Sequence, residues 1–204
     1  MSDNLCQQMQ GDRRMPNLSE FKTGLDDYLT DPRARPFVCT GSPMECRSFI
    51  VGINAATPLE PFSCYWSDET GFNRKKFEAD YKKVKSRRGN RPVIEAIAAY
   101  IKPCLETNLY AIPTKKAKDL TEDDRRHPVI CYLFRAIRPE LVFVHSKAAI
   151  RFFEEETGCR SFTSEVTRTR WQEHDFWLFG RPGVLWTLGS HAPALGAKLA
   201  MNLD

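Results

Sequence analysis

Ser48-Phe49-Ile50-Val51-Gly52-Ile53 (SFIVGI) is the stretch that sets the fold class. A compact apolar run of this length suits a strand buried on both faces, and such strands belong to sheets covered by helices on both sides. Similar runs recur at Leu109 to Ile112, Leu141 to Val144 and Val184 to Leu188. Helical periods lie between and around them. Leu18, Phe21, Leu25 and Leu29 mark one; Phe77, Tyr81 and Val84 mark a second over Asn73 to Arg88. Pro92 opens a third, with Val93, Ile94, Ile97 and Ile101 inward. Thr121 with Asp124 resembles an N-cap signal for a helix carrying Val129, Leu133, Phe134 and Ile137. Further helices follow at Ala148 to Phe153 and Pro193 to Leu203, and Ser161 to Phe179 reads as a hairpin or irregular excursion. Strands alternating with helices imply parallel crossovers. The expectation is an α/β protein, a three-layer α/β/α sandwich around a mainly parallel four-stranded sheet. Residues 1–16 read as a flexible polar tail and 17–204 as a single domain.

The 204 residues carry 42% apolar and 27% charged side chains, which excludes a disordered or fibrous chain. The longest stretch without formal charge, Pro182 to Ala197, is broken by glycines and prolines and cannot span a membrane. The N-terminus lacks the apolar segment of a secretory signal, so a cytoplasmic monomer is expected, nucleoid-associated if bacterial. Seven cysteines without a CxxC pair read as small buried apolar groups in a reducing compartment, with no metal site and no cofactor. Net charge is only +4, yet Arg74 to Arg91 holds nine cations and two acids. That segment is +7 and the remainder −3, so it is either a phosphate-contacting surface or a solvated helix face.

In a parallel sheet, ligands bind beyond the carboxyl ends of the strands. No GxGxxG or Walker-type loop follows any strand, which argues against a dinucleotide or nucleoside triphosphate site. The first strand runs into Gly52-Ile53-Asn54-Ala55-Ala56, and the last into His191-Ala192-Pro193-Ala194-Leu195. Between them ETNLYAIP places Asn108 on a strand. In this order and spacing the chain resembles the uracil-DNA glycosylase superfamily, from about Phe37 to the C-terminus. GINAA is close to the GINPG form of the mismatch-specific branch, and HAPAL is a relative of HPSPLS.

The resemblance implies roles. Such an enzyme extrudes a base from DNA and reads its Watson–Crick edge. Asn54 would hold the attacking water, its other role being to close a turn. Asn108 would pair with the base through both amide atoms. His191 would donate a hydrogen bond to the departing base anion. Trp66, with Tyr65 and Phe62 as substitutes, would stack on the base or else pack in the core. Leu195 would wedge into the duplex or pack the last helix. Ser190 and the cations Lys82, Lys83, Arg87 and Arg88 would contact DNA. His145-Ser146 ends the third strand at the same rim, without an assigned role.

The chain departs from the family at Asn54, where the most efficient branch has Asp, and at Ala55, which replaces a proline. Ala56 stands where that branch has a bulky Tyr, so it implies a roomier pocket. Ala192 replaces a proline, and Pro193 stands where the motif has a serine hydroxyl. The expected function is a monofunctional DNA glycosylase for uracil or a related damaged or mismatched base, used in base excision repair. The alternatives are a non-catalytic nucleobase- or nucleic-acid-binding protein of the same fold, or another nucleoside-processing enzyme.

Overall fold

The SFIVGI run lies at the heart of the sheet. In this computed structural model, residues 17–29, 31–55, 57, 59–84, 89–183 and 185–203 are described. The tail 1–16, Ala56, Arg87 and Arg88 lie outside the described residues. The strands are β1 (Phe37–Val38), β2 (Ser48–Asn54), β3 (Trp66–Ser67), β4 (Gly71–Phe72), β5 (Cys104–Tyr110), β6 (Leu141–His145), β7 (Thr167–Trp171) and β8 (His174–Arg181). The helices are α1 (Leu18–Asp26), α2 (Arg74–Val84), α3 (Arg91–Ala98), α4 (Pro128–Ile137), α5 (Lys147–Thr157) and α6 (Ala192–Ala200).

The main sheet has the order β1-β5-β2-β6-β8-β7. The inner four strands are parallel, and β1 and β7 close the two edges antiparallel. The protein is thus mixed α/β with a mostly parallel central sheet, six-stranded instead of the expected four. Alternation along the strands divides the core. Phe49, Val51, Leu105, Val142 and Phe176 pack with α1, α4 and α5. Ile50, Leu141 and Phe143 pack with Val93 and Ile97 of α3 and Leu199 of α6. Both faces of β2 are therefore dry, as an apolar run without alternation requires.

The fourth parallel strand is not where the sequence places it. Val184 to Leu188 was expected to be a strand, but Leu185–His191 forms 3-10 turns instead. Gly183, at φ 105°, turns the chain out of the sheet, and the Trp186 N–H donates to Asn90 Oδ1 at the head of α3. The place in the sheet is taken by β8, whose Phe176 and Leu178 alternate with Trp177 and Phe179 on the two faces. β7 and β8 form a hairpin, so the excursion at Ser161 to Phe179 contributes two strands. Its turn residues Gln172 and Glu173 sit at φ 49° and 59°, a conformation usually signalled by Asn-Gly.

Two smaller expectations also shift. β5 begins at Cys104, five residues before the apolar run at Leu109, because Glu106 enters the sheet as a partner of two arginines. Thr121 and Asp124 do bond reciprocally, at 2.9 and 3.2 Å, but the turn they tie is the 3-10 turn Asp123–Arg125, and α4 starts at Pro128. No helix among the described residues is long and apolar enough to cross a membrane. Cys39, Cys46 and Cys104 are buried free thiols, whereas Cys131 is disulfide-bonded, contrary to the reading of all seven as reduced.

Candidate active site

Four residues meet side by side at the carboxyl ends of the parallel strands. Asn108 of β5 pairs in register with Gly52 of β2, and His145 of β6 with Arg181 of β8. Gly52 and His145 join the two pairs. A Cβ built on Gly52 would lie 2.7 Å from Asn108 Oδ1 and 3.0 Å from His145 Cε1. The alternation of the strands puts all four on the face that also carries Ile50 and Phe143. Only glycine at position 52 lets the amide and the imidazole converge.

The electrostatics of the row follow from burial. His145 is pushed down to about 4 by burial, against a weaker opposing pull from Glu106, so it is neutral at pH 7. Glu106 is one step back on the same face of β5 and only 8% exposed. It is clamped by Arg74 at 2.7 Å and by a bidentate contact from Arg91. Those arginines also hold Glu78 at 2.8 Å and Glu95 at 3.0 Å. Burial works against the Arg74 charge, but Glu106 and Glu78 more than offset it and raise its pKa. Arg35, lowered to about 10 by burial, lies over the Phe77 ring and donates to the Thr57 carbonyl at 3.1 Å. These charges balance one another. Arg181 does not share in that balance: its Nε is buried with no hydrogen-bond partner among the described residues.

Asn54 ends β2 on the same face as Gly52. Its Nδ2 donates to the Thr114 carbonyl at 3.0 Å and to Thr114 Oγ1 at 2.9 Å. Because acceptors surround the nitrogen, the amide is fixed with Oδ1 on the other side, able to accept from a water. The loops after β2 and β5 are tied together as well, the Thr114 N–H donating to the Ala55 carbonyl at 3.0 Å. At the end of β6, Ser146 holds φ 104° and ψ 145°, a region that favours glycine, while its Oγ accepts from the Ala149 N–H and caps α5. The strained residue directly follows His145.

The other expected site residues fall elsewhere. His191 and Ser190 are exposed just before α6, beyond the kink at Gly189. Leu195 packs against the core beneath α6, the packing role of its two alternatives. Phe62 and Tyr65 are sealed in the aromatic core with Phe72 and Phe77, leaving no ring face open to stack on a base. Trp66 packs on Phe21 of α1 and donates to Asp68 Oδ1 at 2.7 Å, on the opposite side of the sheet from Asn108. Of the +7 segment, Arg74 and Arg91 turn inward to Glu106. Lys83 pairs with Asp80, and Lys82 is exposed.

Sequence reading therefore finds Asn54 and Asn108 in one neighbourhood and misses Glu106, Arg91 and Arg181. The available signal was Glu106 itself, an acid inside an otherwise strand-like run. Neither protein-family models nor curated proteins give a match to this chain.

Proposed function

We propose that the protein is a nucleobase-excising N-glycosidase of the uracil-DNA glycosylase kind, a three-layer α/β/α sandwich acting on uracil or a related base in DNA. The observation that carries this reading is the convergence of Asn108 and neutral His145 over Gly52, beside Arg181, whose Nε has no partner among the described residues. An extruded base entering this rim meets an amide with one donor and one acceptor face, the pattern needed to read a Watson–Crick edge. As the C1′–N bond breaks, its electron pair leaves with the base. His145 donates an N–H to that anion, and the Arg181 guanidinium supplies the nearby positive charge. Asn54 Oδ1 orients the water whose oxygen bonds to C1′; the proton this water then sheds goes to solvent or to the departed base anion. Asn54 has no carboxylate basicity, so the rate rests on stabilising the departing anion. His191 and Ser190, on the exposed approach to α6, meet the DNA strand.

The test is base release from single- and double-stranded oligonucleotides containing uracil, hypoxanthine, xanthine or a G·T mismatch. Asn108→Ala and His145→Asn are expected to lower release by about 100-fold each. Asn54→Ala and His191→Ala are run alongside. Absence of release above background, or release indifferent to Asn54→Ala and Asn108→Ala, sinks the enzyme reading.

One observation favours a second reading, a nucleobase-binding protein without catalysis. The acid of this strand face, Glu106, is held by Arg74 and Arg91 and cannot serve as a general base. Salt-dependent DNA binding with no base release assigns that role.

A further inference from the structure

A separate cleft of about 420 Å³ opens behind the row described above. Leu109 follows Asn108 and packs with the α4 and α5 side of the sheet, so the cleft shares the end of β5 with that row without including its four residues. The cleft floor is aromatic: Tyr110, Phe152 and His127, with the His127 ring 5.3 Å from Tyr110 and 4.8 Å from Phe152. Its rim is cationic, with Arg125, Lys147 and Arg151 against the single acid Glu155. Lys147 and Arg151 are four residues apart on α5 and share its face. Neither makes an ion pair or a hydrogen bond among the described residues. His127 Nδ1 is buried and has no partner among them.

We propose that this cleft binds a phosphate monoester carried on a planar ring, that is, a nucleotide. A phosphate monoester brings between one and two negative charges, close to the excess on the rim. The ring covers the aromatic floor formed by Tyr110, Phe152 and His127. The volume falls in the range of small-molecule sites. Two sources present this chemistry: a free mononucleotide and the 5′-phosphorylated end of a DNA strand. The proposal is independent of base release.

Calorimetric titration of the full chain with AMP tests it, with adenosine and inorganic phosphate as the two half-ligands. AMP is expected to bind more tightly than either half. The double variant Lys147→Gln/Arg151→Gln is expected to weaken AMP about tenfold or more. Both side chains are exposed, so its melting temperature should be unchanged. Asn108→Ala should leave AMP binding as it is, which separates this cleft from the base site. A 5′-phosphorylated oligonucleotide that displaces AMP where its 5′-hydroxyl counterpart does not identifies a strand end as the source; failure of both to compete identifies the free nucleotide. The proposal is overturned by no saturation at millimolar AMP, or by phosphate alone binding as tightly as AMP. It is also overturned by unchanged affinity in the double variant, or by loss of binding in Asn108→Ala.

Discussion

A methyl group on Gly52 would sit 2.7 Å from Asn108 Oδ1, closer than real Cβ contacts come, and 3.0 Å from the His145 ring, tighter than most. Both neighbours are side chains, so Gly52→Ala is expected to fold, at a cost of about 1–3 kcal/mol, with Asn108 and His145 pushed apart. Base release should fall with the variant while its circular dichroism stays native; full activity in Gly52→Ala would show that the convergence has no part in the chemistry. His145 offers a second test at this scale. Its pKa falls from 6.5 unfolded to about 4 folded, so between those values the unfolded chain binds more protons at this position. Stability should therefore rise with pH from about 4 to 6.5 and be flat above, and His145→Asn should reduce that slope. His127 and His174, lowered by burial, contribute to the slope that remains, together with carboxylates lowered by partners, such as Glu78 beside Arg74 and Glu140 beside Arg47. Urea unfolding across this range measures it, and an identical slope in His145→Asn would remove the histidine from the account.

β5 and the β7–β8 hairpin show the same lesson at the scale of elements. Glu106 occupies β5 only because Arg74 and Arg91 reach it from α2 and α3. Glu106→Gln leaves two poorly solvated guanidinium groups short of a charge and is expected to cost about 3 kcal/mol or more, measured by denaturant unfolding. In the hairpin, Gln172 and Glu173 adopt positive φ, and both amide atoms of Gln172 are buried without partners among the described residues. Replacing the pair by Asn-Gly suits the turn and removes the buried amide. A gain of about 1 kcal/mol is expected. These two elements were also the hardest to read. Both were legible only in part: the strand at Leu109 was expected to start later, and Ser161 to Phe179 read as a hairpin or irregular excursion, because a charge at a strand's centre and a turn without Asn or Gly blur the local pattern.

For the whole molecule, the balance of charge changes meaning once the chain is folded. Nine cations between Arg74 and Arg91 look like one basic surface, but two of them are spent inside on Glu106. What α2 still presents to solvent is Lys75 and Lys82, with Lys76 donating to the Cys64 carbonyl and Lys83 paired with Asp80. Under the proposed DNA contact, Lys82→Glu/Lys83→Glu is expected to weaken DNA binding at low salt and to reduce the dependence of log affinity on log salt by about two. Unchanged affinity and slope would return α2 to the status of a solvated helix.

The sequence alone determined the buried central strand at SFIVGI and the alternation that makes a parallel sheet. It also put Asn54 and Asn108 near the carboxyl ends of neighbouring strands. These are local properties: an apolar run without alternation needs cover on both faces, and a polar residue at its end must sit at the rim. Only the tertiary structure decided that β8 takes the fourth place in the sheet and that His145 and Arg181, not His191, complete the row with Asn108 and Gly52. It alone turned Arg74 and Arg91 inward. Strand register and ion pairing are set between segments far apart in the chain, and a residue's own neighbours in sequence carry no record of which distant partner will neutralise it or stand beside it.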